Sequence, residues 1–115
     1  MRFAKATGTR GSWFARVDGE SHPCVHKHWV QRDRSGMTYV DPGYDPERAI
    51  WGPFIEALET QKRAVLTEDQ VSGTDDRNLS FSRTGYIALY AIDHVQVDEN
   101  VLRFDFVERL RDLKA

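Results

Sequence analysis

Residues 86–97 form a long β-prone run, and Asp98-Glu99-Asn100 separates it from a second alternating run at 101–107. Two such runs around a short polar turn read as one antiparallel hairpin, which sets a sheet as the frame of the chain. In the second run Leu102, Phe104 and Phe106 alternate with Arg103 and Asp105, so the three apolar side chains are expected in the core and the two charges in water. In the first run a period of two puts Ile87, Leu89, Ala91, Val95 and Val97 on one face. Tyr86, Ala88, Tyr90, Ile92 and His94 fall on the other.

The rest of the chain supplies shorter pieces. Residues 13–17 alternate as a strand, Asp18-Gly19 is a turn signal, and 24–30 is the expected partner strand, with Pro23 at its start or edge because proline lacks a ladder donor. Residues 1–12, with Gly8 and Gly11, read as an arm. The polar stretch 31–36 reads as a turn, and 37–40 as a short strand. Asp45 can cap a helical turn begun by Pro46. Gly52-Pro53 starts the main predicted helix, 53–62, in which Phe54, Ile55, Leu58 and Gln61 lie at helical spacing. Residues 64–67 suit a strand, 68–80 an acidic mobile loop, and 108–113 either more strand or one helical turn. The expected fold is α+β, a small curved antiparallel sheet or barrel with one main helix covering an opening.

At 115 residues with 40% hydrophobic content, the chain is expected to form a single domain, 1–115, with one modest core. Cys24 is the sole cysteine, which excludes an intramolecular disulfide. Residues 1–8 lack the apolar run of a signal peptide, so a cytoplasmic address is expected. No stretch reaches the roughly 18–20 apolar residues of a membrane-spanning helix. The net charge of −2 is unevenly spread: residues 1–40 carry seven lysines and arginines against three acids, and the remainder carries nine against fifteen. A basic first third can present a local anion-binding surface, or its charges can simply solvate a face.

Three of the four histidines and the cysteine fall at two-residue spacing: His22, Cys24, His26 and His28. On a strand they would share one face. His26 and His28 have the spacing of a strand-borne chelating pair for a divalent ion such as zinc, with Cys24 as a thiolate. Four ligands on one straight strand would span about 20 Å and cannot all converge, so His94 and Asp93 are the further ligand candidates, with Asp41 or Asp45 behind them. Cys24 beside His26 can also be read as nucleophile and base. The structural alternative is a buried thiol among histidines hydrogen-bonded within or at the rim of the sheet. No phosphate-cradling glycine loop, Ser-His-Asp spacing or paired-cysteine motif is present, which disfavours common nucleotide hydrolases and zinc fingers.

Trp13, Phe14, Trp29, Tyr39, Tyr44 and Trp51 are interleaved with Arg10, Arg16, Lys27, Arg32 and Arg34. Aromatic faces for stacking beside cations for phosphate are the two elements of single-strand or flipped-base binding, with Trp29 or Trp51 as the expected platform. The run Gly85-Tyr86-Ile87-Ala88-Leu89-Tyr90, leading into Asp93-His94-Val95 and the final hairpin, resembles the closing half of PUA-like barrels of the ASCH and EVE type. The resemblance covers roughly the last third of the chain and implies a nucleic-acid or nucleotide-like ligand. The leading expectation is therefore a non-enzymatic binding module for such a ligand, with no cofactor. A metal-dependent enzyme built on Cys24, His26 and His28 is the alternative, and a protein-interaction subunit a third.

Overall fold

The computed structural model describes residues 4–9, 13–75 and 79–114. They form strands β1 (Ala4–Thr9), β2 (Phe14–Val17), β3 (Glu20–His26), β4 (Val30–Asp33), β5 (Gly36–Asp41), β6 (Arg63–Ser72), β7 (Ser80–Asp98) and β8 (Val101–Lys114), with one helix, α1 (Trp51–Gln61). A 3-10 turn, Lys27–Trp29, joins β3 to β4. The strands lie in the order β1-β2-β3-β6-β7-β8-β5-β4.

This sheet is mixed rather than wholly antiparallel, because β3 and β6 run parallel through Cys24–Val65, Val25–Leu66 and His26–Thr67. A parallel pair needs a crossover, and here the β4–β5 hairpin and α1 make it. The helix is thus the return path between two neighbouring strands as well as a cover for the sheet. β1 also meets β8 through two parallel pairs, Ala4–Leu113 and Lys5–Lys114, a brief contact that does not make the sheet a closed barrel.

Several expected boundaries move. Residues 4–9 are strand rather than arm, and Arg10 lies outside the described residues. The β2–β3 hairpin forms as expected, with Asp18 and Gly19 both at positive φ (52° and 83°), as a type I′ turn requires. The predicted strand 24–30 is interrupted: β3 stops at His26, and β4 begins at Val30 and runs to Asp33, into the stretch read as a polar turn. Pro23 lies within β3, one residue before the β6 ladder begins at Cys24. The Cys24 N–H bonds the Trp13 carbonyl on the β2 side, so the donor that Pro23 lacks would have faced β6 before any rung exists there. Residues 68–72, read as loop, continue β6 and pair with 80–85 of β7. The tail resolves as strand to Lys114.

The buried side chains form two clusters on opposite faces. One gathers Phe54 and Leu58 of α1 with Val25, Leu66, Tyr90, Phe104 and their neighbours. The other gathers Ala6, Ala15, Val17, Cys24, Val65, Leu89 and Leu113. Consecutive residues of β6 and β7 alternate between them, so both faces of the central strands are dry. Leu102 and Phe104 are fully buried and Phe106 nearly so, as their alternation predicts. On β7 the predicted faces hold only in part. A register shift beside Tyr86–Ala88 puts Ile87 against the first cluster and Tyr86 against the second. His94, at φ 58°, sits in another irregularity, after which Val95 joins the first cluster. Each extra residue reverses which face the next side chain takes.

Candidate functional site

The histidine–cysteine run does not act as a unit. His22 is buried; its Nδ1 lies 2.8 Å from the Gln61 Oε1, while the Gln61 amide donates to the Ser21 carbonyl, so this ring ties the end of α1 to β3. The Cys24 thiol is only 5% exposed, and burial pushes its pKa up to about 12, against the opposing pull of nearby Arg83. Burial therefore works against the thiolate on which either role expected of Cys24 depends. His28 leaves the strand alternation because the 3-10 turn intervenes; it is exposed, edge-on to Trp29 at 4.5 Å. His94, on its β7 irregularity, is bonded through Nδ1 to Asp105 at 2.9 Å and is also exposed. His26 and His28 both lie against Phe81, at 4.0 and 5.9 Å between ring centres, whereas His94 is held elsewhere by Asp105. Among the described residues no three His, Cys, Asp or Glu side chains converge as a metal would need.

His26 is the member with a built environment. Its Nδ1 lies 2.8 Å from Asp69 Oδ2, and its ring stacks on Phe81 at 4.0 Å with 13° between the planes. Asp69 follows Thr67 by two residues on β6, so both face His26 across the parallel ladder. The Asp69 side chain is 2% exposed, receives the Thr67 hydroxyl at 2.8 Å, and has Arg83 Nε at 3.5 Å. Burial alone would raise the Asp69 pKa, but the hydrogen bonds from His26 and Thr67 and the charges of His26 and Arg83 together hold it below the ordinary value. An ionised Asp69 fixes the proton on Nδ1 of the neutral ring, which leaves Nε2 as the hydrogen-bond and proton acceptor.

His26 lines a pocket of about 150 Å³ whose walls include Trp13, Trp29, Trp51 and Phe81, with Asp41 and Arg48 as its charged members. Separate segments bring these together: the start of β2, the 3-10 turn, the end of β5, the start of α1 and the start of β7. Trp13 meets Trp51 edge-on at 4.9 Å, and the Arg48 guanidinium stands 5.6 Å from the centre of the Trp13 ring. Asp41 is 6% exposed; it accepts the Tyr39 hydroxyl at 3.0 Å and the Gly43 N–H at 2.8 Å, while Tyr39 accepts the His26 N–H at 3.2 Å. Burial raises the Asp41 pKa in spite of those two bonds. A Cβ at position 43 would lie 3.1 Å from the Asp41 carboxylate, so glycine lets the backbone close on the acid. The Trp51 indole N–H is buried with no hydrogen-bond partner among the described residues.

Trp29 and Trp51, the expected stacking platforms, thus stand in one pocket. The expected cations do not gather around it as a single patch. Arg16 is exposed on β2 and Arg34 in the β4–β5 turn, at opposite ends of the strand order, whereas Lys27 and Arg32 line a second groove. Sequence reasoning missed Asp69 because 68–80 read as loop, and Phe81 and Arg83 because they precede the β-prone run that starts at residue 86. The signal was available in the alternation Thr67, Asp69, Val71 against exposed Glu68, Gln70 and Ser72, which continues the strand.

Fold and site together define a mostly-β domain with a mixed sheet, one crossover helix and an aromatic pocket holding a histidine–aspartate pair and a buried acid. Comparison with protein-family models, with curated proteins and with solved structures finds no match.

Proposed function

We propose that the protein is a non-enzymatic binding module whose aromatic pocket takes one flat heterocycle of a nucleic acid or nucleotide-like ligand. The observation that carries this reading is the convergence of Trp13, Trp29, Trp51 and Phe81 on a space that also presents polar groups of several kinds. Aromatic walls hold a base by its faces, and polar groups read its edge. Here the edge would meet the His26 Nε2 as acceptor, the Trp51 indole as an unspent donor, and Asp41, which burial inclines towards its protonated form. The likeness of the last third of the chain to PUA-like barrels belongs to the same proposal and points to the same ligand class. A cytoplasmic setting fits it.

Trp29 is the wall to test, because it is only partly buried and packs against the edge of the core, whereas Trp51 is buried within it. Tryptophan fluorescence should be quenched saturably by nucleosides and short DNA or RNA strands at low salt. Trp29→Ala should weaken binding by about 1–3 kcal/mol, roughly 5- to 150-fold. Absence of binding to every nucleoside and oligonucleotide probe at low salt would overturn the reading.

A further inference from the structure

On the other side of the 3-10 turn from the aromatic pocket lies a groove of about 470 Å³. The turn itself divides them: Lys27 lines the groove, whereas Trp29 lines the pocket. Val30, Leu66 and Ile87 contribute apolar lining, and Lys27, Arg32 and Arg109 bring three positive charges against one from Glu68. Arg109 is held over the Tyr90 ring at 5.9 Å and bridged to Asp112, which fixes its planar guanidinium. Lys27 and Arg32 are exposed, and among the described residues neither is paired with a carboxylate.

We propose that this groove is the backbone track of the same binding site, so that the ligand is a single-stranded nucleic acid, with one base in the aromatic pocket and the adjoining phosphodiester against Lys27, Arg32 and Arg109. The inference rests on the pocket reading. Its own support is the juxtaposition: a ligand entering beside Trp29 and carrying a negative charge on its next unit meets Lys27 two residues away on the same turn. The charges suit a phosphodiester, and the apolar lining between them suits the sugar and base edge of a neighbouring nucleotide. A free nucleoside would leave the groove unused.

The test compares a nucleoside, a dinucleotide and a single-stranded hexamer, each as DNA and RNA, titrated into the full chain and into Lys27→Glu, Arg32→Glu. The hexamer should bind at least about 10-fold more tightly than the nucleoside, and the double variant should lose most of that advantage while binding the nucleoside as before. For the hexamer, the slope of log affinity against log salt should fall in magnitude by about 1.4, the share of two phosphate contacts on a single strand. Arg63→Glu, Arg103→Glu, which removes two exposed cations elsewhere, should leave the hexamer affinity within about 2-fold. Equal affinity for nucleoside and hexamer, or equal losses in the two double variants, would overturn the track while leaving the pocket intact. Hexamer binding that depends on Lys27 and Arg32 but is indifferent to Trp29→Ala, with no nucleoside binding, would overturn the pocket and with it the shared site.

Discussion

Burial and hydrogen bonding push two carboxylates beside His26 in opposite directions. Asp69 has its pKa lowered in the fold, so its contribution to stability is present above the unfolded value of 3.8 and is lost as pH falls through the lower folded value. Asp41 has its pKa raised, so stability declines as pH rises from 3.8 through the folded value. Denaturant melts should show Asp69→Asn costing about 1–3 kcal/mol at pH 7, with the gap to wild type closing towards pH 3. Asp41→Asn should behave with the opposite sign, faring better against wild type at pH 7 than at pH 3. Parallel pH trends for the two variants would mean that the environments have been misassigned. The Cys24 thiol, held near 12 and buried, should react with thiol reagents at pH 8 about 10²–10³-fold more slowly in the native protein than in denaturant. Comparable rates would return Cys24 to the list of reactive groups.

The β7–β8 hairpin runs as an antiparallel ladder from Asp98–Val101 to Ala88–Asp112, and Phe104 stands in β8 at 1% exposure, stacked on Tyr39 at 4.9 Å. Phe104→Ala should cost about 3–5 kcal/mol in denaturant melts, and a loss below about 1 kcal/mol would contradict its place in the core. This hairpin was legible in the sequence because strict alternation and a polar turn are local signals. So was α1, to within two residues at its start, from the spacing of Phe54 and Leu58. The parallel β3–β6 pair was not, since it depends on where a crossover of more than 30 residues returns the chain. Nor were the faces of β7 beyond His94, where a non-glycine residue at φ 58° shifts the alternation without any glycine to mark it. The site was legible in part: His26, Trp29 and Trp51 stood out by residue type, whereas Asp69 was hidden in an acidic stretch that pairs only once β7 lies beside it.

Taken whole, the molecule uses its crossover to build the site. The path from β3 through the 3-10 turn, the β4–β5 hairpin and α1 delivers Trp29, Asp41 and Trp51 to one place, and β6 with β7 supplies Asp69 and Phe81 behind His26. All three tryptophans of the chain line the pocket, so their indole N–H groups are a complete set of reporters on it. The most direct measurement is a titration of ¹⁵N-labelled protein with a short single-stranded oligonucleotide, following the three indole signals by NMR. The expected result is that all three move saturably with one affinity, with the Trp51 signal shifting as its N–H gains an acceptor. Indole signals that stay fixed at ligand concentrations up to about 1 mM, a range in which even binding worth roughly 4 kcal/mol would register, would contradict the assignment of this pocket as the binding site.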